Sequence, residues 1–228
     1  MATLLITGGA RGIGRELVKQ ALEAGHDVIA SVRAGAESTL DDLKASAGDR
    51  LAVLTLDVSD PDSIRAAAAA FERPVDILIN NAGIIGPLPQ STLEMDFDGF
   101  AQTFDVNTLG PLRVIHAFLK NVRRGDNPRV VTISSKMGSM AFQSSDRIAY
   151  RASKAAVNKV MQGLATDLRE DGVTVVSMHP GWVRTDMGGG NADLAVEESA
   201  AGILAVVTGL SPDRSGSFIN YDGTDLPW

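Results

Sequence analysis

LLITGGARGIG, residues 4–14, is the stretch on which the fold turns. A short run of branched aliphatic residues leads into a glycine cluster, and helical periodicity begins where the cluster ends. Strand, tight turn and helix in that order open a nucleotide-binding α/β unit. Glycines stand at 8, 12 and 14 in the spacing T-G-x-x-x-G-x-G, which differs from the commoner G-x-G-x-x-G. The mechanics are the same: one glycine permits the turn, one lets the backbone approach a pyrophosphate, and one lets helix and strand pack closely. The helix N-terminus adds free N–H groups and partial positive charge for a phosphate. Gly8, Arg11, Gly12, Ile13 and Gly14 are therefore candidate cofactor contacts. A glycine-rich turn with no ligand is the plain alternative.

Six more short apolar runs follow, at 27–32, 51–56, 75–80, 129–134, 173–178 and 217–221. They are nearly continuous in apolar character rather than alternating, as suits strands buried on both faces of a parallel sheet. Helical patterns lie between them near 12–24, 36–46, 60–72, 96–122, 150–170 and 195–209. Asp60 and Pro61 read as an N-cap and a first helical position. Val157, Val160, Met161, Leu164 and Leu168 keep the spacing of a buried helix face. The expected fold is α/β: a single doubly wound parallel sheet, a Rossmann fold of about seven strands, with helices on both faces. No internal repeat or long linker interrupts the chain, so residues 1–228 read as one domain carrying both cofactor and substrate sites.

The chain has 228 residues, 44% of them hydrophobic, which is ample for a sizeable core. It has no cysteine, which excludes disulfides and thiolate metal ligands. A net charge of −7 argues against nucleic acid and anionic membranes as partners, since both are polyanions. MATLLITGG lacks the basic segment and long apolar run of a signal peptide. No run approaches the roughly 18 apolar residues of a membrane span. The expectation is a soluble cytoplasmic protein. His26, His116 and His179 stand far apart without ligand spacing, so no metal is expected.

At the end of the second strand, roughly 20 positions past the glycine turn, an acidic residue would bind a ribose 2′-hydroxyl. Here Arg33 stands nineteen residues after Gly14, and Asp27 lies at the other end of that strand. Arg11 and Arg33 are two guanidiniums without a carboxylate, which suits a 2′-phosphate gripped bidentately. The expected cofactor is NADP, with NADPH preferred over NADH. The alternative places either arginine on solvated surface. Asp57 and Val58, at the tip of the third strand, are further candidates. Asp57 could bond an adenine amino group, or it could serve a helix-start turn with Ser59 and Asp60.

YRASK (150–154) sets one of only two tyrosines four residues before a lysine. On a helix this puts phenol and ammonium on one face. The motif is one of a series. TGGARGIG, NNAG (80–83), Asn107 in VNTLG, ISSKMG (133–138), YRASK and PGWVRTD (180–186) occur in one order. With them the chain resembles the short-chain dehydrogenase/reductase family over nearly its whole length. PGWVRTDMGGGNADL and the ending GSFINYDGTDLPW look like its C-factor and sniffer-type carbonyl reductase branch.

The resemblance implies roles. Tyr150 would be the general acid, protonating a carbonyl oxygen as hydride arrives at carbon. Lys154 would pull the phenol down from its ordinary pKa of about 10 and bond the nicotinamide ribose. Ser135, three residues before Gly138, would donate to the carbonyl or its developing oxyanion. Ser134 would point to the other side of the backbone, and Ser145 is a distant alternative. Asn107 falls inside a predicted helix, where asparagine is unfavourable. It is either a polar residue at a local irregularity or, as the resemblance implies, the holder of a water linking Lys154 to solvent. Asn81, Ala82 and Gly83 match the turn after the fourth strand, with Gly83 leaving room for adenosine and Asn81 steadying the sheet. Val183 would contact the carboxamide through its backbone, with Thr185 near the phosphates or the carboxamide. Met137, Met140, Phe142, Trp182 and Met187 either line an adaptable apolar pocket or pack ordinarily.

The implied activity is NADPH-dependent reduction of an aldehyde, ketone or quinone to an alcohol. The substrate would be a small-molecule carbonyl, and the assembly a homodimer or homotetramer built through helices at 96–122 and 150–170. The short glycine-rich stretch after Thr185 implies an open site. Two other readings stand beside this one: a dedicated 3-oxoacyl-type metabolic reductase, and an NADP-binding sensor of C-factor type.

Overall fold

Side chains alternate across a strand, and in the computed structural model of residues 1–228 that alternation sets the layers. Strand β1 (Thr3–Ile6) sends Leu4 and Ile6 into one hydrophobic cluster and Leu5 into another, and all three are fully buried. The first cluster takes in α1 (Gly12–Glu23), α2 (Asp41–Ala47) and α7 (Val196–Gly209). The second takes in α3 (Pro61–Ala69), α5 (Gly110–Val122) and α6 (Ile148–Asp167). Helices thus cover both faces, as the continuous apolar runs require.

The remaining strands are β2 (Asp27–Val32), β3 (Leu51–Thr55), β4 (Ile77–Asn80), β5 (Arg129–Ile133), β6 (Thr174–His179) and β7 (Phe218–Asn220). All seven run parallel in the order β3-β2-β1-β4-β5-β6-β7. The order reverses between β1 and β4, which leaves a crevice beyond their carboxyl ends. Thr7 and Asn81 lie there.

The helix expected over 96–122 is two helices. α4 (Phe97–Phe104) and α5 are separated by a π turn at Asp105–Leu109. Pro111 explains part of this, because it has no N–H to give the carbonyl of Asn107 four residues back. The expected helix at 36–46 opens as a 3₁₀ turn, Glu37–Leu40, before α2. The N-cap expected at Asp60 is present: its side chain accepts from the Asp62 amide at 2.8 Å, and Pro61 is the first helical residue. α6 begins at Ile148, two residues ahead of Tyr150, after Arg147 in left-handed backbone at φ 51°. No helix is long and apolar enough to cross a membrane.

Gly14 marks where α1 leaves the sheet. A Cβ on it would press into the Gly8 carbonyl oxygen and stand 2.5 Å from Asn81 Nδ2. Gly163 is a contrasting glycine, exposed on α6 with no atom within 4 Å of a Cβ. Gly14→Ala should destabilise the chain by about 3 kcal/mol and lower Tm by roughly 6–12 °C. Gly163→Ala should stabilise it by about 0.5–1 kcal/mol, through helix propensity alone. Thermal unfolding of the two variants beside the parent checks both.

Candidate active site

At the β1–β4 crevice the glycine turn is braced by side chains. Asn81 Nδ2 donates to the carbonyls of Thr7 at 3.0 Å and Gly8 at 3.3 Å. The amides of Asn81 and Ala82 both donate to Thr7 Oγ1, at 3.0 and 3.1 Å. Asn81 therefore acts on the turn rather than reaching past it. Ile13 is half-buried against the core cluster. The first amides of the twelve-residue α1 have no side-chain cap, so this end keeps its donors for an anion. A phosphate cradle needs just such bare backbone, and the residues present fit it.

The loop after β6 closes over this turn. A Cβ on Gly12 would lie 3.5 Å from the Thr185 methyl. Arg11 Nη1 meets Asp186 Oδ2 at 2.7 Å with both side chains exposed, a contact of small energy. Val183 is buried, and its carbonyl accepts from Thr185 Oγ1 at 3.3 Å, which in turn accepts from the Gly188 amide at 3.1 Å. Trp182 Nε1 donates to Gly188 O at 2.9 Å, and Arg184 Nη1 donates to the carbonyls of Ala192 and Asp193 at 3.0 Å. The glycine-rich stretch is short and tied to its own base.

Arg33 directly follows β2, exposed and in no ion pair. Asp57 builds the helix-start turn: Oδ1 accepts from the Ser59 amide at 2.9 Å and from its hydroxyl at 2.6 Å. Burial raises the Asp57 pKa, but the Ser59 bonds and the Arg33 charge outweigh it and hold the carboxyl below its usual range. Val58 is buried under the start of α5, 3.0 Å from where a Gly110 Cβ would stand.

Beyond β5 the chain gathers its polar residues in one place. Ser135 has extended backbone, and its Oγ accepts from the Met137 amide at 3.1 Å, capping the 3₁₀ turn Lys136–Gly138. Ser134 lies on the other side, with its hydroxyl donating to the Lys154 carbonyl at 3.4 Å. Ser145 is exposed on the loop before α6. Gly138 brings α6 in, since a Cβ there would stand 2.6 Å from the carbonyl carbon of Lys154 and 2.7 Å from its Cβ. That backbone contact sets Tyr150 and Lys154 beside the end of β5.

Lys154 is buried, with Nζ donating to the Ile133 carbonyl at 2.9 Å and lying 5.7 Å from the centre of the Tyr150 ring. No carboxylate pairs with it, and burial pulls the ammonium down to about 8. The expected lowering of the Tyr150 pKa is corrected by this geometry. Burial raises the phenol above its ordinary value, and the Ser135 hydrogen bond and the Arg147 charge oppose that only in part. The ammonium is directed at a backbone carbonyl, so Tyr150 keeps its proton firmly at neutral pH.

Asn107 stands in the π turn and is buried. Its Oδ1 accepts from the Ile84 amide at 2.9 Å, and its Nδ2 donates to Ile84 O at 2.8 Å and Ser153 Oγ at 3.0 Å. The local helix irregularity is present, and the side chain bonds protein partners on the loop after β4 and on α6. Gly83 sits against both groups: its Cβ would lie 3.2 Å from Asn107 Oδ1 and 3.6 Å from Lys154 Nζ.

Sequence reasoning missed Gln90. It is buried, its Oε1 accepts from the Tyr150 amide at 3.1 Å, and its backbone carbonyl accepts from the Ile148 amide at 2.8 Å. It thus satisfies two of the free donors of α6's first turn and ties them to the loop after β4. A lone glutamine after Pro87 and Pro89 carries no signal of this. Ser153, inside YRASK, was also passed over; it donates to the Tyr150 carbonyl at 2.7 Å. Met140, Phe142, Trp182 and Met187 are exposed around the site, while Met137 is half-buried.

Comparison with known proteins bears on the family and the fold. The short chain dehydrogenase family model matches residues 2–193. The C-signal protein of Myxococcus xanthus is 47% identical over 156 residues, covering 68% of this chain and 93% of that protein. NADPH-bound carbonyl reductase from chicken fatty liver superposes with a TM-score of 0.93 at 32% identity, covering 100% of this chain and 99% of that one. Carbonyl reductase Sniffer of D. melanogaster gives 0.91 at 30%, with both chains covered in full. The family-model match over residues 2–193, with relatives of this identity and coverage, places the chain in the short-chain dehydrogenase/reductase family of oxidoreductases.

Proposed function

We propose that the protein is an NADPH-dependent reductase of small carbonyl compounds, with both sites on one domain and Tyr150 as general acid. The observation that carries this reading is the meeting of the Ser135 hydroxyl, the buried Tyr150 phenol and the buried, carboxylate-free Lys154 ammonium at the end of β5. The NADPH in the chicken carbonyl reductase structure supports the cofactor. NADPH, when bound, supplies the hydride. Its phosphates suit the turn of Gly8, Gly12 and Gly14 with the N-terminus of α1, and its 2′-phosphate suits Arg33 and Arg11, the latter exchanging its Asp186 partner.

The chain's own residues then handle the oxygen. Ser135 Oγ–H holds the carbonyl oxygen and favours the charge that gathers there. Tyr150 Oη–H gives that oxygen its proton. Burial keeps the phenol protonated until the oxygen becomes basic enough to take the proton. The Lys154 ammonium favours the phenolate that results. Asn107, through Ile84 and Ser153, holds the loop after β4 and the first turns of α6 in register. A signalling role is the second reading, favoured by the likeness to the C-signal protein; a module without chemistry has no use for this proton donor.

Tyr150→Phe should lower kcat for carbonyl reduction by about 10²–10⁴-fold while NADPH titration still shows binding. Loss of neither kcat nor kcat/KM would remove Tyr150 from the acid role. Arg33→Ala should weaken NADPH binding by about 10–100-fold and leave NADH unchanged, as calorimetry with both cofactors would read. The Lys154 shift predicts opposite signs for activity and stability. The ammonium is present below about 8, so kcat should fall as pH rises through that value. Between about 8 and the ordinary 10.5 the unfolded chain binds the extra proton, so stability from this group should rise with pH. A pH–rate profile and urea melts over that range check the two together.

A further inference from the structure

Beside Ser135, at the carboxyl ends of β5, β6 and β7, lies a cavity of about 310 Å³. Lys136, Asp193, Trp182, Tyr221 and Leu226 are among the residues that line it. His179 and Asn220 make the floor, where His179 Nδ1 and Asn220 Oδ1 are buried without hydrogen-bond partners. Burial and the Lys136 charge pull the His179 imidazole down to about 4, so the floor is polar and uncharged at neutral pH. A polar floor with unspent hydrogen-bonding capacity disfavours a purely apolar occupant.

The charges of the lining are both free. Lys136 is exposed, in no ion pair, and its Nζ lies 4.7 Å from the Phe142 ring centre. Asp193 is exposed and likewise in no ion pair. On the α6 side Arg147, also unpaired, is close enough for its charge to act on the Tyr150 phenol. The reacting residues therefore stand between two cations in a chain of net charge −7. Lys136 follows Ser135 in the chain, so the cavity that it lines opens at the same end of β5 as the serine.

We propose that this cavity is a specificity subsite for a carboxylate, with Lys136 as the residue that selects carbonyl substrates carrying one anionic group. Asp193 repels an anion from its own part of the lining and so favours its placement on Lys136. The inference rests on the reductase reading above.

The test compares 4-carboxybenzaldehyde with methyl 4-formylbenzoate, a pair that differs in the charge. The quantity read is the ratio of their kcat/KM values. The parent should favour the acid, Lys136→Met should cut the ratio about tenfold, and Lys136→Arg should restore it. Asp193→Asn should raise it, and added salt should narrow it by screening. A ratio unmoved by Lys136→Met overturns the proposal. Calorimetric binding of the same pair to the protein loaded with NADP⁺, which has no hydride to give, reads the subsite without turnover. Selective binding of the acid that is lost in Lys136→Met supports the subsite even if neither aldehyde is reduced, a result that would count against the reductase reading alone. Equal binding of both compounds by parent and variant overturns the subsite.

Discussion

The candidate site depends on one contact: the backbone of α6 resting on Gly138 at the end of β5, where a side chain would stand 2.6 Å from the Lys154 carbonyl carbon. Close packing of this kind tolerates almost no displacement. It determines how far Tyr150 and Lys154 stand from Ser135. The other supports converge on the same helix end. Gln90 occupies its first free amides, Asn107 holds Ser153, and Thr108 Oγ1 donates to the Ser153 carbonyl at 2.9 Å. Four elements far apart in the chain thus meet over one helical turn.

Burial then does the electrostatic tuning. The same low-dielectric surroundings that strengthen the phenol's hold on its proton weaken the ammonium's. The two shifts run in opposite directions, and both groups remain protonated near neutral pH. For a site that must deliver a proton to an oxygen gaining charge, this is a useful starting state. A phenol already ionised by a neighbouring ammonium would suit the reverse direction, removal of a proton from an alcohol.

The nucleotide side is built differently. Few side chains are aimed inward there; the site consists of backbone made bare by Gly8, Gly12 and Gly14 and stiffened by Thr7 and Asn81. The loop after β6 leans on it through Thr185 and the exposed Arg11–Asp186 pair. Arg33 and Asp57 stand at the strand tips beside it, and Asp57 is engaged in its own helix-start turn.

Local sequence determined the layers of this protein and the order of its elements. Alternation along β1, continuous apolar runs and the Asp60–Pro61 start are short-range effects, written in neighbouring residues. The glycine turn and the Tyr150–Lys154 spacing are legible for the same reason. Tertiary structure decided much of the rest. The π turn splits the helix expected over 96–122 because Pro111 withholds an N–H and Asn107 is drawn to Ile84, across a separation of 23 residues. Gln90 became a support for α6 only when a loop 60 residues away folded beneath it. The direction of the Tyr150 shift was likewise out of reach, because spacing shows that an ammonium is near but desolvation depends on everything packed around both groups.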